Sequence, residues 1–220
     1  RHPTIRQPDS IADFPTLAYI PTIRYVLFMA SAHERKKQPE QVRRRLLDCA
    51  ANLAVETGLA SLTIQAVADA ADVTKGGLFH HFASKEKLIE GVFTDLLDKL
   101  DAEIDAILAA DPVVPGRFTR AYVDSAIRLM ESKAPSPWGA LSISMMTDPA
   151  LRRLWSDWYR ARLARHADTD SAPMLEIVRY AADGIWLSDL CDMDPALRMD
   201  RAVLRDRLIR MTTEPERSPA

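Results

Sequence analysis

Cysteine, glycine and long apolar runs are scarce in this chain. Its 220 residues hold two cysteines and seven glycines against 14 prolines. Two cysteines cannot build a disulfide scaffold. Cys49 and Cys191 each fall on an apolar position of a helical pattern, so both read as buried free thiols of a reducing compartment. No stretch reaches the ~20 apolar residues of a membrane span. No run alternates apolar and polar residues as a half-buried strand does, and no segment repeats. GxSxG, P-loop, GxGxxG and DxDxD patterns are missing, as is any HExxH. The expectation is therefore a protein that is not an enzyme and carries no metal and no cofactor.

What is present points to helix. Hydrophobic residues make up 47% and charged residues 27%, ordinary for a soluble globular chain. Long stretches are rich in Ala, Leu, Arg, Asp and Glu, all compatible with helix. The net charge of −2 is unevenly spread. Residues 35–87 hold nine Lys or Arg against six Asp or Glu, whereas residues 88–220 hold seventeen against twenty-two. A basic N-terminal module on an acidic remainder suits a nucleic-acid binder with a second, separate module.

The first 34 residues fit neither module. Prolines stand at 3, 8, 15 and 21, and the first methionine is Met29. The apolar end of this segment and Ala30-Ser31-Ala32 resemble a signal peptide, but Arg24 interrupts the run. Residues 1–34 are expected to be disordered or to lie upstream of a start at Met29.

Helix signals then follow one another. Val42, Leu46, Cys49, Ala50, Leu53 and Ala54 keep a helical period up to Gly58. Thr63 caps a short helix through about Ala71, Thr74 caps a second through about Phe82, and Ser84 caps a third, long one. The long helix ends at the breaker Asp111–Gly116. Further helices carry Phe118 to Met130, start near Trp138, open at Asp148-Pro149, run from Met174 to about Asp192, and open again at Asp194-Pro195 to reach about Met211. The tail 212–220 is expected to fray. The fold class is all-α.

Two short helices joined by a tight turn, behind a longer basic helix, form a helix-turn-helix arrangement. At its centre stands Thr74-Lys75-Gly76-Gly77-Leu78-Phe79-His80-His81-Phe82. Gly76 and Gly77 cost about 1 kcal/mol each in a helix relative to Ala, and they let a backbone approach bases and phosphates closely. The free N–H groups of that first turn favour anions, and Lys75 adds a cation. Leu78 and Phe82 lie four apart, on one face, to anchor the helix from behind. His80 and His81 point about 100° apart, which disfavours a shared metal.

From Val42 to Val92 the order and spacing of these residues resemble the TetR family of bacterial transcriptional repressors. The resemblance rests on Glu56-Thr57-Gly58, on Leu62 to Ala68, on Ala71 to Phe82 and on Ser84 to Leu88. It implies a DNA-binding domain over 35–90, with its motif at about 63–82, and a helical effector-binding and dimerisation domain over 91–211. It implies that Lys75, Gly76, Gly77 and His80 lie nearest base edges, and that Thr63, Gln65, Thr74, His81 and Lys85 approach phosphates. The arm Arg35–Lys37 would reach the minor groove or the backbone. Two departures stand out. Asp72 occupies a turn position where the family commonly has Gly, and Asp tolerates the left-handed conformation. Phe79 replaces a common Tyr and lacks its hydroxyl.

The resemblance also implies a ligand pocket, for which Tyr122, Trp138, Met145, Met146, Trp155, Trp158 and Trp186 are the candidates. Any one of them also suits an ordinary core. The last two helices, with Met174, Ile177, Val178, Ala181, Ile185, Leu190, Leu197, Leu204, Leu208 and Met211, would form a four-helix bundle across a two-fold axis, with Ala182 and Gly184 allowing close contact. The implied function is a cytoplasmic, homodimeric repressor on a palindromic double-stranded DNA operator, released by an unknown small-molecule effector, with no membrane partner. The rivals are a regulator without an effector, an activator, and a helical enzyme or protein-interaction scaffold.

Overall fold

The computed structural model describes residues 21–131, 136–191, 194, 196 and 199–213, with side chains from Gln38 onward except those of Met130 and Glu131. Every regular element among the described residues is helical, so the class is all-α. No helix is long and apolar enough to cross a membrane, and no three His, Cys, Asp or Glu are placed to hold a metal, among the described residues.

Two compact units divide between Val42 and Arg43. The first contains helical backbone from Pro21 onward. Helix α1 spans Pro21–Thr57, so the segment expected to be unstructured through residue 34 is helical from Pro21. A proline is well placed at a helix start, where its missing N–H has no partner to lose. A second, Pro39, lies inside the helix and removes one backbone hydrogen bond without ending it. Residues 1–20 and the side chains of Arg35, Lys36 and Lys37 lie outside the described residues.

The second unit begins with the rear of α1, which buries Leu46, Leu47, Ala50 and Ala54. Gly58 ends that helix at φ 78°, and a single 3-10 turn, Leu59–Ser61, follows. Helices α2 (Ile64–Ala70), α3 (Lys75–His81) and α4 (Lys85–Ala110) start where their caps predict. Thr63, Thr74 and Ser84 accept from the backbone N–H of Ala66, Gly77 and Lys87 at 3.1, 3.0 and 3.2 Å. Each bond satisfies one donor that the helix itself leaves open, worth about 1 kcal/mol.

The remaining helices are α5 (Arg117–Glu131), α6 (Pro137–Thr147), α7 (Pro149–Arg165), the single turn α8 (Ala167–Asp170), α9 (Pro173–Leu190) and α10 (Arg201–Met211). The last starts later than Asp194-Pro195 indicates. Asp194 only closes a local turn onto the N–H of Ala196, and the cap is Asp200, which accepts from Val203. Helix α5 is central, packed against α4, α8, α9 and α10. Its Phe118, Ala121, Tyr122, Val123 and Ile127 join Ile104 and Leu108 of α4, Val178 and Ala182 of α9, and Leu208 of α10 in one core.

Buried polar groups tie that core together. Asp170 accepts from the Thr119 N–H and hydroxyl at 2.8 and 2.7 Å, and Arg179 donates to Thr119 Oγ1 at 2.7 Å. Gly116, at φ 74°, brings the α5 start against α9 and the α10 end. A Cβ there would meet Arg120 at 3.1 Å, Leu175 at 3.2 Å and the Thr212 carbonyl at 3.3 Å. Both cysteines are free, as expected, but neither is fully buried: Cys49 is half-buried and Cys191, beyond the end of α9, is exposed.

Candidate nucleic-acid interface and effector cavity

The turn between α2 and α3 is a Schellman closure with aspartate in the usual glycine position. Asp72 has φ 53°, its N–H donates to the Asp69 carbonyl at 3.1 Å, and the Val73 N–H donates to the Ala68 carbonyl at 3.0 Å. The left-handed conformation read from the sequence at Asp72 is therefore present. This turn fixes the angle at which α3 leaves α2.

Helix α3 is held from one side only. Leu78 is fully buried and Phe82 nearly so, as their spacing indicates. The Arg43 guanidinium lies 5.0 Å from the Phe82 ring centroid. Gly91 of α4 makes room for that ring, since a Cβ there would come within 2.8 Å of Phe82 Cε1. The opposite face carries Lys75, Gly76, Phe79 and His80, all exposed. Their i, i+4 spacings, 75 to 79 and 76 to 80, make one continuous surface.

The two glycines of α3 differ. A Cβ on Gly76 would find no neighbour nearer than Thr74 Oγ1 at 4.0 Å, so internal packing does not require glycine there. A Cβ on Gly77 would press on Thr74 Oγ1 at 3.3 Å. Gly77 thus helps seat the cap, whereas Gly76 keeps an exposed backbone thin.

The other interface candidates surround this face with varied commitments. Thr63 and Thr74 use their hydroxyl oxygens as acceptors in the caps, and both residues are exposed. Gln65 donates to Asp69 at 2.7 Å. Lys85 reaches the Ala60 carbonyl at 3.4 Å, a long contact. His81 is half-buried, its ring 5.5 Å from that of His80 in an edge-on arrangement. Phe79 lacks the family's common hydroxyl but has a place of its own on this surface. In the structure its ring is 43% exposed on the outward face, 6.0 Å from Lys75 Nζ. The signal was available, since 79 falls one residue off the buried 78/82 stripe.

A cavity of about 210 Å³ lies among α4, α5, α6, α7 and α9. Tyr122, Trp138, Met145, Trp155 and Trp186 line it. Two other candidates do not. Met146 is 45% exposed, on the outer side of α6. Trp158 packs beside Trp155 and donates from Nε1 to Asp101 at 2.8 Å, so it braces α7 against α4. Arg162, one turn on and fully buried, strengthens the brace by donating to Asp105 at 2.6 Å and to the Asp101 carbonyl at 2.7 Å.

The cavity also holds polar groups that the sequence did not single out: Ser125, Ser142 and Asp183. Tyr122 donates its hydroxyl proton to Asp183 Oδ1 at 2.5 Å. Burial pushes the Asp183 carboxyl above the usual carboxylate range, opposed by the Tyr122 hydrogen bond and the Arg179 charge. Burial, with the Asp183 charge and hydrogen bond, pushes the Tyr122 phenol well up.

The bundle-forming residues divide differently from the expectation. Val178, Ala182 and Leu208 are buried in the core of their own chain, with Ala181, Ile185, Leu204 and Met211 packed on it. The apolar face that α9 turns outward is Ile177, Tyr180 and Leu187, at 53%, 60% and 42% exposure, with open space at Gly184. Leu197 lies outside the described residues.

Comparison with known proteins agrees with this organisation. Residues 46–92 match the model of bacterial regulatory proteins of the tetR family, and residues 116–213 match that of tetracyclin repressor-like C-terminal domains. The transcriptional repressor KstR2 of Mycolicibacterium smegmatis is 27% identical over 168 residues, covering 71% of this chain and 82% of that protein. The transcriptional regulator BetI of Escherichia coli O157:H7 is 29% identical over 166 residues, covering 66% and 80%. The fold is shared with a structure described as a transcriptional regulator of Streptomyces coelicolor A3(2), at 24% identity and a TM-score of 0.64, covering 79% of this chain and 99% of that one. With its helix-turn-helix head and helical C-terminal domain, the chain belongs to the TetR family and is a DNA-binding transcriptional regulator, not an enzyme.

Proposed function

We propose that the protein is a cytoplasmic, homodimeric repressor that grips a palindromic operator through two copies of α3 and leaves it when a small molecule fills the cavity. The observation that carries this reading is Gly76, an exposed glycine whose own fold leaves room for a side chain. A helix that gives up about 1 kcal/mol of propensity without a packing gain has a use for its thin edge. Entry of that edge into a major groove supplies one.

In this reading Lys75, Gly76, Gly77 and His80 approach base edges. Phe79 adds an apolar surface suited to a thymine methyl. Thr63, Gln65, Thr74, His81 and Lys85 surround them at the level of the phosphates. The Gln65 and Lys85 side chains exchange their present partners, Asp69 and the Ala60 carbonyl, for the DNA backbone. The outward stripe Ile177, Tyr180, Gly184 and Leu187 supports a two-fold contact between α9 helices, which sets two α3 helices on half-sites one DNA turn apart, ~34 Å.

The test is selection of genomic fragments by the purified protein, read by sequencing. An enriched palindrome, bound by a dimer and released in steep dependence on salt, is expected. Fragments without a shared sequence would refute the reading.

A further inference from the structure

The cavity is not a uniform apolar hole. Three of its helices present side chains at helical spacing. Tyr122 and Ser125 come from α5, Trp138, Ser142 and Met145 from α6, and Asp183 and Trp186 from α9. Trp155 of α7 adds a further aromatic side chain to the lining that holds Asp183.

We propose that the effector is an apolar or aromatic molecule bearing a positively charged nitrogen, seated between these rings and the Asp183 carboxylate. The proposal rests on the cavity being the effector site. Its first support is the state of Asp183. Tyr122 occupies Oδ1, and Oδ2 has no hydrogen-bond partner among the described residues. The nearby cation, Arg179, directs its Nη1 to Thr119 Oγ1 and the Asp170 carbonyl, and makes no hydrogen bond to Asp183 among the described residues. It acts on Asp183 by charge alone. A half-buried carboxylate that shares a cavity lining with Trp and Tyr side chains, and has no cation bonded to it, costs a folded chain more than Asn or Leu would.

A second support is independent of charge. Ser125 is 2% exposed, lines the cavity, and its Oγ has no hydrogen-bond partner. Buried hydroxyls ordinarily find partners, so a polar group of a ligand is the missing one. The third is the walls. Trp, and then Tyr, are the side chains whose ring faces best attract a cation. Burial favours the protonated carboxyl of Asp183, and a bound cation reverses that bias by favouring the ionised form.

The experiment is a titration of the full chain, followed by tryptophan fluorescence and calorimetry, with two probes of one shape. Benzyltrimethylammonium carries the charge, and neopentylbenzene replaces its nitrogen by carbon. The cation is expected to bind roughly tenfold or more tighter than the neutral probe. Asp183→Asn keeps the Tyr122 hydrogen bond and is expected to erase the difference. Equal or tighter binding of neopentylbenzene, or no binding of either probe, would overturn the proposal, and these need no variant. A preference that survives Asp183→Asn would overturn the assignment to Asp183. Operator release, measured alongside, separates the two readings. A neutral probe that binds at least as tightly as the cation and releases DNA sinks the cation and leaves the effector site. A cation that binds through Asp183 without release upholds the cation site and sinks the effector function.

Discussion

The head and the body of the second unit use helices in opposite ways. In the head, the chemistry of α3 faces outward and its support faces in. Lys75, Gly76, Phe79 and His80 are exposed, while Leu78 and Phe82 are buried behind them. In the body, the outward faces are largely solvated, and the distinctive groups, Asp183, Ser125, Trp138, Trp155 and Trp186, face an internal cavity. An outward site needs one short helix held at a defined angle. An inward site needs several helices, drawn from residues 100 to 186, to meet. The head should therefore tolerate surface change without unfolding, and the body should register small changes of volume or backbone as stability.

The sharpest way to break this contrast is to attack the support of the head. Leu78→Ala removes a fully buried side chain from behind α3 and should cost about 2–5 kcal/mol, measured by urea unfolding, with DNA binding lost through the fold. A loss below 0.5 kcal/mol by that measure would mean that α3 is not anchored from this side. Next comes the body. Gly116→Ala forces a left-handed backbone on Ala and sets a Cβ against Leu175 and the Thr212 carbonyl, for about 1–3 kcal/mol. A melting temperature equal to the parent's would contradict the account of that junction.

The same contrast explains what was legible in the sequence. The head is written locally. Thr63, Thr74 and Ser84 each lie three residues from the N–H they cap, and the turn at Asp72 closes within six residues. Such signals survive in a linear reading because their partners are near in the chain. The body is written in long-range contacts. Tyr122 and Asp183 are 61 residues apart, and nothing in either neighbourhood announces the pair. Trp158 and Trp155, three apart and alike in type, serve different purposes because Asp101 of α4 takes the indole of one. On α9, apolar residues occupy both sides, so periodicity alone could not say that Val178 and Ala182 face the chain's own core while Ile177 and Tyr180 face out. Helix starts failed where two signals competed, as Asp194 and Asp200 do before α10.

The smallest expected change in stability tests the central claim. Gly76→Ala adds a methyl group into open space on α3, so the fold should gain up to about 1 kcal/mol in urea unfolding. The same substitution thickens the edge proposed to enter the groove, and affinity for the selected operator should fall by roughly tenfold or more. Measured side by side on one preparation, a stabler protein that binds DNA more weakly is the predicted result. Unchanged affinity in a protein of equal or greater stability would contradict the placement of α3 against DNA.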